Sequence, residues 1–112
     1  MTSVGGHPRQ AELEATLTAH LDQARARRCA SKEHAIAVQT LCALGRHGEA
    51  AALLDRLAAM PAGTAEDDEA LGFAAFAAGA HQLSRDCYAR VVDARPDDPL
   101  AWYNLAAGER TI

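Results

Sequence analysis

Histidine, cysteine and carboxylate side chains are the residues of this chain that could do chemistry, if their spacing brings them together. Metal ligands carried by one helix stand three or four residues apart, so that they share a face. No histidine pairs with another His or with a Cys at either spacing. We therefore expect no metal site, and structural or surface roles for the five histidines, His7, His20, His34, His47 and His81.

Catalytic motifs are also missing from the pattern. No Ser-His-Asp order, Gly-rich phosphate loop or paired-carboxylate pocket has the strand context that it would need. The cysteines Cys29, Cys42 and Cys87 are odd in number and form no CxxC pair. They are interpreted as reduced thiols of a cytoplasmic protein, with Cys42 and Cys87 as small core residues. We predict a non-catalytic chain without a cofactor.

Charge is distributed unevenly along the chain. The formal net charge is −4, and residues 64–112 carry nine acidic against four basic residues. Nucleic-acid binding requires clustered Lys and Arg, so this balance argues against it. The basic cluster within residues 25–32 and the acidic run 66–69 are interpreted as helix ends that suit the helix dipole. The acidic run as a recognition patch is the alternative.

The N-terminal residues M-T-S-V-G-G-H-P-R-Q lack the apolar core of a signal peptide. No segment approaches the roughly 18 apolar residues of a membrane span. We therefore expect a cytoplasmic protein with no membrane contact. Ala and Arg are abundant, whereas Lys32 and Asn104 are the only residues of their types, a bias typical of a GC-rich bacterial coding sequence.

Ala is abundant and β-branched residues are scarce, so the chain is expected to be helical. Any residue that binds a partner must therefore be positioned by helices. Residues 1–8 are predicted to be a flexible tail. An amphipathic helix follows over 9–29, with Leu13, Leu17, Leu21 and Ala24 on one face. Caps, glycines and prolines then predict five further helices. The first two lie at about 32–44 and between the turn 45–48 and Pro61. The other three lie at 66–78, where Thr64 with Asp67 forms the cap, at 82–94 and at 100–110.

A step of 34 residues relates one part of the chain to another. Gly45 and Gly79 are separated by this step, and so are Leu54 and Tyr88. A fixed period of this length is the signature of helical repeat arrays. The same step joins Ala37 with Leu71, Ala50 with Ser84, Leu57 with Val91, Asp68 with Trp102, and Leu71 with Leu105.

Residues 65–98 resemble a tetratricopeptide repeat, with Leu71, Gly72, Gly79, Ser84, Tyr88 and Pro96 at the family's positions. Residues 31–64 match more loosely, because Val38 replaces a small residue and Pro61 comes one position early. Residues 99–112 form a partial repeat with Trp102, Leu105 and Ala106. The resemblance implies an all-α domain over 9–112, built as a right-handed solenoid of stacked antiparallel hairpins, with 9–29 and 99–112 capping its ends.

Small and aromatic residues have a physical reason to stand at these positions. Gly72 and Ser84 lack bulk, so the two helices of one hairpin can approach closely. Tyr88 and Trp102 are expected to fill the wedges between successive hairpins. Because each hairpin leaves an apolar face uncovered, stacking supplies the core.

The resemblance also implies a concave groove that binds an extended or helical peptide of an unidentified partner. The groove positions would be Lys32, Ala35, Gln39, Cys42, Glu69, Phe73, Phe76, Leu100, Tyr103 and Asn104. Glu69 and Phe73 stand where a carboxylate clamp needs basic or amide groups, so no clamp is expected. Phe73 and Phe76 would form an apolar groove floor or a self-association patch, or else be buried against the N-terminal hairpin.

Two alternatives to a peptide-binding module remain. The segment D-P-L-A-W-Y-N-L-A-A-G-E-R resembles repeats that precede the catalytic domain of bacterial tetratricopeptide sulfotransferases, so the chain could be the N-terminal part of a larger enzyme. The chain could also form homo-oligomers through its C-terminal helix, with Trp102 and Tyr103 at the interface.

Overall fold

Six α-helices make up the structure, a computed structural model that describes the backbone of residues 8–111 and the side chains of 9–107. Over this range there is no strand, and only an isolated parallel bridge joins Ala30 and Ala62. The all-α prediction with six helices is confirmed, whereas residues 1–7 of the predicted tail lie outside the described range. The helices are α1 (Pro8–Arg25), α2 (Lys32–Ala43), α3 (His47–Ala58), α4 (Ala65–Ala77), α5 (His81–Ala94) and α6 (Pro99–Thr111).

Side-chain caps begin three of the helices. At α4, Thr64 Oγ1 accepts a hydrogen bond from the Asp67 N–H, and Asp67 Oδ2 accepts one from the Thr64 N–H. This is the predicted capping box. At α6, Asp98 Oδ1 accepts from the backbone N–H of Leu100. At α2, the Ser31 N–H donates to Nδ1 of His34, which occupies the position where a capping box usually has Glu or Gln.

Two glycine turns connect α2 to α3 and α4 to α5. Gly45 and Gly79 have φ values of 76° and 88°, a left-handed conformation that glycine adopts without steric cost. Both turns are closed by a backbone hydrogen bond to the residue five positions earlier. The Arg46 N–H donates to the Leu41 carbonyl at 2.8 Å, and the Ala80 N–H donates to the Ala75 carbonyl at 2.8 Å.

The first helix is shorter than the sequence predicts. It ends at Arg25, and the prediction of a helix to residue 29 is wrong. The cause is tertiary, because the N–H of Ala30 donates to the carbonyl of Pro61 at 2.9 Å. The loop before α2 therefore runs beside the loop before α4, in the bridge that joins Ala30 and Ala62.

A main hydrophobic cluster joins the first five helices. Helix α2 lies at its centre and packs against α1, α3 and α4, while α4 also packs against α5. The predicted apolar face of α1 contributes to this cluster through Leu17 and Leu21. Its larger members are Leu17, Val38, Leu41, Leu53, Leu54, Leu57, Leu71 and Cys87.

A second, smaller cluster attaches α6 to α5. It consists of Val91 and Val92 from α5 and Ala101 from α6, with Leu105 partly buried against them. The molecule measures 54 × 30 × 22 Å, so its long axis is more than twice the shortest. None of the helices described is long and apolar enough to span a bilayer.

Glycine at position 72 allows α4 and α5 to approach closely. A Cβ atom there would lie 2.9 Å from Cζ of Tyr88, and Ser84 Oγ donates to the Gly72 carbonyl at 2.8 Å. Tyr88 is buried, with its ring against Gly72 of α4, and its role as a wedge between successive hairpins stays a prediction. For Trp102 the wedge prediction is wrong: the ring is half exposed, and its Nε1–H donates to the carbonyl of Pro96.

Candidate functional site

Large apolar side chains are exposed on α4 and α6. This is unusual, because such residues are commonly buried, and a contiguous exposed group marks an interaction surface. The exposed fractions are 61% for Phe73, 37% for Phe76, 56% for Leu100, 51% for Trp102 and 63% for Tyr103. A binding site is therefore expected on the exposed surface of these two helices.

A pocket of about 190 Å³ lies between α4 and α6, and we call it the phenylalanine pocket. Phe73 and Phe76 of α4 and Tyr88 of α5 provide its aromatic walls, and Asn104 and Ala107 of α6 complete it. Three predicted groove residues, Phe73, Phe76 and Asn104, thus meet at one site. Tyr88 was expected only as a wedge, and nothing in the sequence indicated Ala107.

The exposure of the two phenylalanines decides whether they are buried in the core or form part of the surface. Burial against the N-terminal hairpin is excluded for Phe73, which exposes more than half of its surface. Phe76 is less exposed because its ring contacts His81 edge-on, with centroids 5.1 Å apart. Both rings therefore contact solvent and can contact a partner.

None of the predicted groove residues of α2 lines the phenylalanine pocket. Lys32 is exposed at the first position of α2, and its backbone N–H donates to Asp67 Oδ1 at 2.9 Å. Gln39 and Cys42 are half-buried. The expectation that Ala35 lines a groove is wrong, because this residue is buried in the main cluster.

Two ion pairs tie α4 to α5 and to Arg95, the residue that follows α5. Glu69, a predicted groove residue, shares its carboxylate with Arg95, with Oε2 and Nη1 3.4 Å apart. One residue earlier, buried Asp68 accepts hydrogen bonds from Nε and Nη2 of Arg90 on the same oxygen, at 3.1 and 3.0 Å. The hydrogen bond to Asp68 raises the pKa of Arg90. These pairs hold the helix that presents Phe73 and Phe76.

Asp67 links α4 to α2, which the sequence did not indicate beyond its role in the capping box. Its Oδ1 accepts from the Lys32 N–H, and a guanidinium nitrogen of Arg27 lies 3.9 Å from its Oδ2. Burial alone would raise the pKa of Asp67, but hydrogen bonds from the Thr64 and Lys32 N–H groups outweigh it and lower that pKa. Asp67, one residue of the acidic run 66–69, thus has a structural role.

Reactive groups do not converge near the pocket. Burial raises the pKa of the Cys87 thiol to about 11, so this cysteine is protonated at neutral pH and a poor nucleophile. Within residues 9–107, no three His, Cys, Asp or Glu side chains come together as metal ligands would. What the pocket can do is bind an apolar group.

A larger cavity of about 480 Å³ lies between the end of α3 and the start of α5. Leu54, Leu57 and Leu83 are among its apolar lining residues, and Asp55 and Asp86 are exposed carboxylates on it. No aromatic ring of Phe, Tyr or Trp lines it. Because aromatic anchors dominate protein interfaces, the smaller phenylalanine pocket is the better candidate.

Comparisons with protein-family models, with curated proteins and with solved structures find no match to this chain. A helical chain that exposes aromatic rings around a small apolar pocket has the features of a protein-interaction surface.

Proposed function

We propose that this chain is a non-catalytic protein-interaction module that binds a helical or extended segment of another protein on the side of α4 and α6. Its helices form antiparallel hairpins stacked as a right-handed solenoid of the tetratricopeptide type. The phenylalanine pocket takes an apolar side chain of the bound segment. The proposal rests on the exposure of Phe73 and Phe76 around that pocket.

Recurring backbone hydrogen bonds support the stacked arrangement. Bonds at both glycine turns and at the starts of two pairs of helices recur after 34 residues. Equal local geometry at equal spacing is what repeated hairpins require. The donor–acceptor pairs are 44–40, 45–42, 46–41, 50–46 and 68–64, and their counterparts are 78–74, 79–76, 80–75, 84–80 and 102–98.

The size of the phenylalanine pocket favours a side chain over a small molecule. Sites for drug-sized ligands usually have volumes of about 300–1,000 Å³, and this pocket has about 190 Å³. One Leu, Met or aromatic side chain of a partner fits such a space. The Asn104 amide can donate and accept hydrogen bonds, and it would orient the backbone of the bound segment.

Charge adds a preference for basic flanking residues in the bound segment. Residues 64–112 include four basic and nine acidic residues. Arg90 and Arg95 are already paired with carboxylates of α4. Complementary charge mainly raises the association rate and excludes wrong partners. We therefore expect a segment with an apolar anchor and nearby Lys or Arg.

A displayed library of random peptides tests this function. Peptides selected on the wild-type chain should share an apolar anchor, and Phe73→Ala/Phe76→Ala should weaken their binding about 10–100-fold, as loss of an interface hot spot does. Asp55→Ala/Gln82→Ala is the matched control, because it alters two exposed residues of the larger cavity. Binding that survives the phenylalanine variant and is lost in the control would contradict the proposal.

A further inference from the structure

A third cavity, of about 330 Å³, is lined by residues of α1, α2 and α3 and of the loops that follow α1 and α3, and we call it the arginine cavity. It shares no residue with the phenylalanine pocket. Its volume falls within the range of about 300–1,000 Å³ that is usual for small-molecule sites. Its apolar residues are Leu21, Ala24, Leu53 and Met60, and its polar ones are Arg25, Arg27, His34 and Arg56.

All the charged side chains that line the arginine cavity are basic, and they are not equally available. Arg25 and Arg27 each have a carboxylate partner, with nitrogen and oxygen 2.6 and 3.3 Å apart. Arg56 is exposed in the last turn of α3 and has no carboxylate partner among the described side chains. Because a guanidinium stays charged at any physiological pH, Arg56 is free to bind an anion.

His34 provides a second donor to the arginine cavity. The residue exposes only 5% of its surface, and its Nδ1 accepts from the Ser31 N–H, so the ring proton is on Nε2. This Nε2–H has no partner among the described residues, yet it is not sealed in the core. Burial is the largest cause of the lowered pKa of His34 and the charge of Arg56 the next, so the guanidinium lies near the ring. Since buried polar groups are nearly always paired, the open N–H indicates a place for an acceptor from outside the chain.

An organic carboxylate suits both the donors and the apolar lining of the arginine cavity. A guanidinium binds a planar carboxylate through two parallel hydrogen bonds, and the remaining lone pairs of the carboxylate can accept from an imidazole N–H. An inorganic anion would leave the surfaces of Leu21, Leu53 and Met60 uncovered. A neutral apolar molecule would leave Arg56 without an opposite charge. The ligand therefore needs both a carboxylate and an apolar body.

We propose that the arginine cavity binds a small organic acid, a carboxylate that carries an apolar chain or ring. Arg56 and the Nε2–H of His34 bind the carboxylate, and Leu21, Leu53 and Met60 contact the apolar body. The site goes beyond the proposed peptide binding and does not depend on it, because the two cavities share no residue.

An NMR titration of the full, isotope-labelled chain with hexanoate tests the site at constant pH and ionic strength. Hexanoate should bind with saturation at millimolar concentrations, and the ring signals of His34 should shift with the same dependence on concentration. Acetate has the carboxylate without the chain, and hexanol has the chain without the carboxylate. Each should bind about tenfold more weakly or worse, because each lacks one of the two sets of contacts.

Two arginine variants locate the bound carboxylate. Arg56→Gln should weaken hexanoate binding about tenfold or more, as loss of a charge-assisted hydrogen bond does. Arg28→Gln is the matched control, because it removes the same charge from an exposed residue that does not line the cavity. Phe73→Ala/Phe76→Ala should bind hexanoate as the wild type does. Equal losses in both arginine variants, hexanol binding as tight as that of hexanoate, or unshifted His34 signals would overturn this site and leave peptide binding standing.

Discussion

At the scale of single residues, Gly72 controls the distance between α4 and α5. Its carbonyl accepts the hydrogen bond of Ser84, and the Tyr88 ring occupies the space where a Cβ would lie. Tyr88 in turn forms a wall of the phenylalanine pocket. A change at Gly72 therefore affects both the stability of the hairpin and the shape of the pocket.

Substitution of Gly72 by alanine is expected to destabilise the fold. The added Cβ would lie 2.9 Å from Cζ of Tyr88, so the ring or the helices must shift, and such overpacking costs about 1–3 kcal/mol. Chemical denaturation measures this loss of unfolding free energy. Gly48→Ala is the matched control, since no atom lies within 4 Å of the new Cβ and this position in the first turn of α3 should accept alanine without loss of stability.

Removal of the Tyr88 ring tests whether that ring causes the loss of stability in Gly72→Ala. In a Tyr88→Leu background, Gly72→Ala should cost much less, because the atoms that it contacts are gone. An equal cost in both backgrounds would show that the ring is not the obstacle.

At the scale of secondary-structure elements, the start of α2 depends on a neutral histidine. A backbone N–H can only donate, so Nδ1 of His34 accepts from Ser31 and the ring proton is on Nε2. Burial lowers the pKa of His34 most, and the positive charge of Arg56 lowers it further. Glu33 raises it, and the remaining effects of Arg27, which lowers it, and Asp67, which raises it, are smaller. Protonation of the ring would remove the acceptor of the cap.

The lowered pKa of His34 predicts that the fold loses stability in mild acid. Below about pH 6.5 the unfolded chain binds a proton that the folded chain resists, so unfolding becomes easier as the pH falls toward the folded pKa. His34→Gln keeps an acceptor at a position where Gln suits a capping box, and it does not titrate. Thermal melts between pH 5 and 8 should show a smaller acid-induced decrease in the variant.

The wild-type chain at pH 8 is the reference for this comparison, because His34 is neutral there in both states. An equal decrease in the two proteins would assign the acid sensitivity to other groups.

Helix ends were predictable where their cause is local. The cap at Thr64 and the turn at Gly79 depend on residues within a few positions of each other, and both appear in the sequence pattern. The end of α1 and the bond from Lys32 to Asp67 depend on loops that meet only in the folded chain. No local pattern carries that information.

At the scale of the whole molecule, the core is divided unequally. The main cluster joins α1 to α5, and only the small cluster of Val91, Val92, Ala101 and Leu105 attaches α6. Cys87 lies fully buried in the main cluster, so its thiol becomes accessible only when that cluster opens.

Cys87 should therefore report global unfolding. In a Cys29→Ser/Cys42→Ser variant, the remaining thiol should react with an aromatic disulfide reagent only as fast as the molecule opens, because it is buried and its pKa is about 11. The wild-type chain, with Cys29 and Cys42 partly exposed, should show earlier phases. Labelling of Cys87 within the mixing time would contradict this description of the core.

The candidate site could be predicted only in part, because the neighbours of a helix decide which of its faces is exposed. The sequence placed Phe73 and Phe76 one turn apart, and either burial or exposure fitted that spacing. Packing of α2 and α5 on the other side of α4 leaves them exposed. The same dependence explains Trp102, which has no helix on its outer side among those described.

Equivalent caps at Thr64 and Asp98 have a consequence for protein engineering. Residues 65–98 begin directly after one cap and end on the next, and the N–H of the residue four positions after each cap bonds back to it. A duplicate of this segment inserted after Asp98 would start on an aspartate cap and finish on one. If the hairpins stack as proposed, the chain should accept extra hairpins of this kind, each with another pair of phenylalanines.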